Sequence, residues 1–590
     1  MRSRLRWLLP ALPLAFLVLM LVAPVLRLLA EGWAAAGEGW SWWAVWQDEH
    51  LRWRVWWSFA QAAITCGAAL ALGLPVAWVL ARLEFSGRRL VLRLLMLPFV
   101  VPTLVAALGV LALWGPRGWL GGPLAEAGWS LEETPWLLLY GNLFFNLCLV
   151  VRAGVDALEQ VSAPRVAAAR TLGATPWRAF WRVEWPAVAP WLASALCLVF
   201  LYCFSGFGLA LLLGGQRYAT VEVEIYTLVA HDLALAQAGV LAVWMLLLTG
   251  AVAVAYAWME KRLAAPGRVT PVPRQRPNGV GQWAAVAGAL AVLGVVCAAP
   301  LLAIVARAAH ALLWGQGAAV WLQPETLAAL WNTLRFSTMA LALATVLGLV
   351  HALAVQAMDA SGLGRRAGGA AIKSGGGTGG TGVTGGVAAG TAGIASAAGV
   401  AGRAGLVSRG LAGVAGLDNR GLALLWRAAA FLPFVVSPVT VAFGLLLVYP
   451  QWTASLGLLV GAYALLAYPF VAKSLTAALD SLPASYAQAA ASLGARPWRV
   501  FWRVTLPLVS TALRRGMAFA AATALGEFAV SLFLSRPEWT TLTTLIYQHL
   551  GRPGAANLDA ALVLACGLMA LALLAFAGLE GRGEDNARHA

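Results

Sequence analysis

Apolar residues run along this chain in blocks of about 20, separated by short polar stretches. The blocks fall at about 8–30, 55–81, 91–114, 135–156, 189–213, 236–258, 283–308, 329–356, 423–449, 453–476, 510–535 and 556–578. A block of that length is what a helix needs to cross the hydrocarbon of a bilayer, about 30 Å thick. The alternating ten-residue segments of a membrane barrel are not the pattern here. The pattern predicts an all-α polytopic membrane protein with about twelve transmembrane helices.

Arginine placement orients the spans. Arg2, Arg4 and Arg6 put the N-terminus in the cytoplasm, and counting spans puts the C-terminus there too. The Arg82–Arg93 linker, the Lys261–Arg276 linker and two polar loops then lie on the same side. The connections at 31–54, 115–134, 214–235, 309–328 and 536–555 are acidic or tryptophan-rich and fall outside. The N-terminal stretch resembles a signal peptide but lacks a small-residue cleavage motif, so it reads as the first span.

The blocks repeat. Leu172–Pro186 and Leu493–Pro507 are identical at 11 of 15 positions, all at an offset of 321. Phe207 matches Phe528, Thr220 matches Thr541 and Ile225-Tyr226 matches Ile546-Tyr547 at that same offset of 321. Leu72-Gly73-Leu74 matches Leu347-Gly348-Leu349 at 275, and Leu97–Val101 matches Leu432–Val436 at 335. The step from 275 to 335 locates an insert of 60 residues, the Gly/Ala/Thr/Ser tract at 362–421, which reads as a flexible cytoplasmic linker. Two halves follow, 1–265 (core about 55–258) and 266–590 (core about 329–578). Each holds an even number of spans, so the halves run parallel, related by an axis along the membrane normal.

Composition narrows the class. The chain of 590 residues is 61% hydrophobic and only 11% charged, where a soluble domain carries about a quarter charged residues. The net charge of +16 sits in the short linkers, an orientation signal and not a nucleic-acid surface. All six cysteines lie in apolar runs without a CxxC pair, which points to neither a disulfide frame nor a metal site. No Gly-Lys dipeptide occurs, so there is no nucleotide-binding P-loop, and no HExxH or GxSxG supports a membrane enzyme. No cofactor is expected.

The polar loops at 157–186 and 478–507 each predict a helix–turn–helix elbow. In the first, Ser162 can cap a short helix that tolerates Pro164 early, and Ala168 and Ala169 give it a smooth surface. Gly173 suits the left-handed residue that ends it. A second helix from Pro176 carries Trp177, Phe180 and Trp181 on one side, and Pro186 is expected to stop it. Ala489, Ala490, Gly494, Trp498 and Pro507 repeat the plan. Tryptophans at lipid headgroups and arginines on phosphates would explain one such loop. They do not explain one register kept twice, which suits a surface fitting the same partner twice.

EQVSAPRVAAARTLGATPWRAFWRVEWP and DSLPASYAQAAASLGARPWRVFWRVTLP resemble the EAA loops of permease subunits in bacterial ABC importers, although no glutamate directly precedes the alanine pair. With both halves in one chain, FFNLCLVVR (144–152), YCFSGFGLALLLGG (202–215), TVEVEIY (220–226) and WGPRGWL (114–120) are similar to the thiamine importer permease. Fused ferric-iron permeases share the architecture. The resemblance implies the type I importer permease fold as two six-helix repeats in the bacterial inner membrane. It implies two copies of a separate ATPase on the cytoplasmic side and a periplasmic solute-binding protein delivering a small molecule, thiamine or its phosphates. Glu159, Ala168, Ala169, Gly173, Trp177 and Pro186, with Asp480, Ala489, Ala490, Gly494, Trp498 and Pro507, would then form the ATPase-coupling loops.

One carboxylate stands inside an apolar span, Glu527 in ALGEFAVSLF. Such groups face a protein interior or a wet cavity. With Phe207, Phe528 and Tyr226 it could line the pathway and favour a cationic aromatic substrate, or it could simply hydrogen-bond between helices. An ion-coupled secondary transporter is the alternative of another class. It would carry several buried charges at the midplane and need no twin elbows.

Overall fold

The computed structural model describes residues 10–37, 42–132, 134–263, 270–314, 317–370, 426–453, 455–534 and 536–580. Of the glycine-rich insert expected at 362–421, the part from 371 onward lies outside the described residues. Among the described residues the structure is helical, with two isolated β-type bridges and no strand.

The first half begins with α1 (Ala11–Ala34) and α2 (Glu49–Arg82). Asp48 caps α2 by accepting from Leu51 N at 3.0 Å, with Glu49 in its first turn and Arg82 in its last, the arrangement the helix dipole favours. Then come α3 (Thr103–Trp114), α4 (Trp136–Glu159), α5 (Ala163–Thr171), α6 (Pro176–Phe204), α7 (Gly208–Leu213), α8 (Val221–Ala230) and α9 (Leu235–Ala255). The second half has α10 (Val280–Trp314), α11 (Pro324–Met358), α12 (Pro438–Val448), α13 (Leu456–Ser481) and α14 (Ala484–Ser492). It closes with α15 (Pro497–Val500, Phe501–Thr505 and Leu506–Leu525 in one run), α16 (Ala529–Leu534), α17 (Leu542–Gly551) and α18 (Ala555–Glu580).

The all-α polytopic fold is as expected, but the described residues confirm fewer long spans than the twelve or so read from the sequence. Among the described residues nine helices are long and apolar enough to cross a bilayer, ten if one bent pair counts as a span. The difference lies in breaks. The segment Arg88–Val100 meets α3 at 105°, across Val101-Pro102. The block at 423–449 breaks at Ser437-Pro438, leaving α12 with 11 residues. The block at 510–535 carries Arg514 and Arg515 and breaks at Gly526–Phe528. Short buried helices α8 and α17 occupy connections read from the sequence as outer loops.

The duplication is physical as well as textual. A Cβ on Gly73 of α2 would come within 3.0 Å of Val150 of α4, and one on Gly348 of α11 within 2.8 Å of Val471 of α13. Both glycines let two helix backbones close up. Val221 N donates to Ser58 Oγ at 2.9 Å, and its counterpart Leu542 N donates to Thr333 Oγ1 at 2.8 Å. The leading helix of each half packs on the other half. A Cβ on Gly109 of α3 would lie 2.8 Å from the Pro300 carbonyl oxygen of α10, and one on Gly444 of α12 would lie 2.7 Å from Pro24 Cβ of α1. This exchange interlocks the halves, and a cavity lies at their interface.

Candidate functional sites: two elbows and a central cavity

In the first elbow, α5 ends on Leu172, and Gly173 takes φ +83°. Gly173 N then donates to Arg170 O and Ala174 N to Ala169 O, each at 3.0 Å, closing the carbonyls left open at the helix end. The second elbow repeats this with Gly494 at φ +80°, Gly494 N to Ala491 O at 3.0 Å and Ala495 N to Ala490 O at 3.1 Å. Only a residue at ease in the left-handed region keeps this turn.

Beyond the turn, Leu172 and Leu493 are both 88% exposed, Trp177 is 70% and Trp498 68% exposed. Trp177 meets Trp181 edge-on at 5.5 Å, and Trp498 meets Trp502 the same way at 5.3 Å. Ala168 and Ala489 are exposed and Ala169 and Ala490 half-buried, so each elbow presents a small-residue helix face beside a leucine and a tryptophan. Large apolar groups left exposed on a rigid turn are the kind of surface that meets a partner or the membrane interface.

Three expectations change here. Ser162 sits at the start of α5, but its side chain makes no capping bond; Ala163 N donates instead to Thr270 O at 2.9 Å. Pro186 and Pro507 do not stop the second elbow helices. A wide π-type turn precedes each, at Phe180–Glu184 and Phe501–Thr505, and absorbs the missing donor and the ring's bulk, so the helix runs on into the membrane. Glu159 and Asp480 are engaged within the chain: Glu159 with Arg88 at 3.3 Å and Arg274 at 2.8 Å, and Asp480 with Arg427 through both carboxylate oxygens.

A cavity of about 310 Å³ lies where the broken helices of both halves meet. Its wall includes Phe99, Asn142 and Phe207 from the first half, with Ser437, Glu527 and Phe528 from the second. Phe207 and Phe528, equivalent in the duplication, stack on each other at 5.9 Å. Close approach is set by glycine: a Cβ on Gly526 would meet Pro102 Cα at 3.1 Å, across the boundary between halves. Glu527 Oε1 accepts from Val530 N at 3.0 Å, capping α16, so the expected bond between helices is instead a local one. Tyr226 is not in the wall; it packs edge-on against Phe207 at 5.5 Å.

Polar groups that the sequence reading passed over also meet here. Asn142 donates to Gln61 Oε1 at 2.7 Å and Asn146 to the Asn142 carbonyl at 2.8 Å. Ser437 donates to buried Glu222, a hydrogen bond joining the two halves. Two asparagines four apart in an otherwise apolar run were the available signal for the first pair. Nothing local marks the second, whose partners lie 215 residues apart. Among the described residues no cluster of His, Cys, Asp and Glu is arranged to hold a metal ion.

Two parallel repeats, a cavity between them and one apolar elbow per repeat describe the membrane component of a binding-protein-dependent importer. The chain belongs to the family described as binding-protein-dependent transport system inner membrane component, which matches it over 69–265 and again over 414–579. It is a multi-pass inner-membrane transport component of the ABC importer class. It is 26% identical to the thiamine transport system permease protein ThiP of Escherichia coli (strain K12) over 550 residues, 92% of this chain and 91% of the relative. The ThiP of Brucella abortus (strain 2308) is 33% identical over 248 residues, 40% of this chain and 44% of that protein. The sulfate transport system permease protein CysW of Synechocystis sp. (strain ATCC 27184 / PCC 6803 / Kazusa) is 31% identical over 216 residues, 36% of this chain and 76% of the relative.

Proposed function

We propose that this chain is the translocating subunit of an importer for thiamine or its phosphates, driven by two copies of a separate ATPase. A solute-binding protein in the periplasm hands substrate to the outer loops. The ATPases grip the two elbows from the cytoplasm, where both termini also lie. When they close on ATP, the elbows approach and the pathway opens outward; after hydrolysis it returns to face inward. The chain contributes positioning and a route, and the chemistry of ATP hydrolysis belongs to the partner.

The observation that carries this reading is the matched pair of elbows, each with an exposed leucine and tryptophan held by a left-handed glycine. Sequence similarity to ThiP across 92% of the chain supports the substrate class. The cavity is compatible with it: Glu527 supplies a negative group, and Phe207 and Phe528 supply aromatic faces, the combination that attracts an aromatic cation.

The test is uptake of labelled thiamine into vesicles holding this chain, its partner ATPase and its binding protein. ATP-dependent uptake is expected. Leu172→Asp together with Leu493→Asp should abolish co-purification of the ATPase while leaving the chain's melting temperature unchanged. Uptake driven by a proton or sodium gradient without any ATPase would refute the reading, and ATP-driven uptake of ferric iron but not thiamine would overturn the substrate.

A further inference from the structure

The stretch joining the two halves reads Thr270-Pro-Val-Pro-Arg-Gln-Arg-Pro277. Prolines at 271, 273 and 277 fix their own φ and push each preceding residue towards extended backbone, so this stretch cannot coil into helix. In the structure it lies extended across the base of the first elbow. Gln275 N donates to Arg82 O and Glu84 N donates to Gln275 O, both at 2.9 Å, tying it to the end of α2. Ala163 N donates to Thr270 O at 2.9 Å, tying it to the start of α5, and Ser162 forms an antiparallel bridge with Pro271. Val272 packs against the hydrophobic core.

Charges reinforce the attachment. Arg274 lies 3.6 Å from Glu84 and 2.8 Å from Glu159; Arg88 lies 3.9 Å and 3.3 Å from the same two carboxylates. Two guanidiniums and two carboxylates thus alternate around one square, joining the end of α2, the end of α4 and the connecting stretch. In addition, buried Arg82 pairs with buried Glu184 of α6, the second helix of the first elbow, at 2.5 Å.

Among the described residues the second elbow has no counterpart of these contacts. At the offsets of the duplication, Arg82 corresponds to Ala357, Glu184 to Thr505 and Ser162 to Pro483. Asp480, the counterpart of Glu159, pairs with Arg427. At these matched positions the two elbows therefore share a shape but not the same polar contacts.

The geometry points to residues 270–276 as a strap that positions the first elbow, with Arg274 as the positioning residue, making the two ATPase-docking elbows mechanically unequal. This rests on the importer reading for what the elbow grips, but not for the strap itself. The strap and elbow move as one body with the cytoplasmic ends of α2 and α4, so a push on the first elbow reaches those helices without slack.

The strap is tested first by cross-linking in native membranes. Ser162→Cys with Pro271→Cys places two thiols on an antiparallel pair, whose Cα separation of roughly 4.5–5.5 Å lies within the range a disulfide spans. The linked peptide should appear by mass spectrometry after mild oxidation, with neither single variant giving it. Its absence overturns the proposal, and because no ATPase is involved, failure of the importer reading leaves this result intact. In reconstituted vesicles the cross-linked chain should transport within twofold of its reduced form; loss of uptake on oxidation, restored by reduction, shows that the strap must release and overturns the proposal. Arg274→Glu should lower substrate moved per ATP hydrolysed at least fivefold with ATPase co-purification retained, and Arg274→Lys should restore it. An unchanged ratio in Arg274→Glu refutes the positioning role.

Discussion

Replacing Gly173 or Gly494 isolates backbone conformation from packing, because a Cβ at either position meets nothing within 4 Å. The whole effect of a side chain there is the strain of φ +83° or +80°. For an ordinary L-residue that strain is about 1–2 kcal/mol, with a β-branched residue at the upper end and asparagine well below it. The helix preceding each glycine has only nine residues, too short to hold itself together in water, so the turn is a large share of its stability. Ala at one position should weaken ATPase binding about fivefold and Val about tenfold or more, since 1.4 kcal/mol is a factor of ten. Asn should stay within about twofold of wild type. The elbows are separate, so the Val substitutions should multiply in the double variant. Titration of the ATPase against detergent-solubilised chain, read by fluorescence anisotropy, measures this directly. If the Asn variants fail as badly as the Val variants, the glycines are needed for contact with the partner's backbone and the conformational argument is wrong.

Gly348→Ala should lower the melting temperature of the purified chain, because its Cβ would lie 2.8 Å from Val471 Cβ, an overpacking cost of about 1–3 kcal/mol; Gly67→Ala, on the same kind of helix in open space, should raise it slightly. Ser437→Ala removes both the donor to buried Glu222 and the cap on Val439 N and Thr440 N, and should destabilise by about 1–3 kcal/mol; adding Glu222→Leu should recover only the part due to the unpaired carboxyl, as judged by the same melting measurement. Glu527→Gln retains an oxygen that can accept from Val530 N, so the chain should melt as wild type while its affinity for a cationic substrate falls about tenfold; unchanged affinity in a binding assay would remove Glu527 from the pathway.

The helical class, the duplication and the elbows were legible because each rests on local or periodic signals: block length, one register kept twice, a glycine after an alanine pair. The breaks were harder to see. Val101-Pro102 and Ser437-Pro438 sit inside blocks whose apolarity is uninterrupted, and hydropathy alone does not separate a spanning helix from two short ones meeting at an angle. The stop expected at Pro186 failed because the rule that proline ends a helix assumes a regular preceding turn, and the preceding turn here is widened. Glu222 meeting Ser437, and Arg274 meeting Glu159, are contacts between distant parts of the chain that only the folded arrangement brings together. The prolines of 270–277 rule out helix there, a signal the reading of that linker for charge alone did not use, and nothing local shows what the stretch lies against.

The widened turns before Pro186 and Pro507 have a mechanical result. With the helix unbroken from Pro176 to Phe204, 29 residues at about 1.5 Å each make one rod of roughly 43 Å. One end carries the exposed Trp177; the other stops at Ser205-Gly206, beside the stacked Phe207 and Phe528. On the importer reading proposed above, a push on the elbow at Trp177 would reach the aromatic pair through this one helix, which also holds Pro190. A regular turn there would set the Pro186 ring against the Arg182 carbonyl, so the wide turn is what lets elbow and span form one continuous helix.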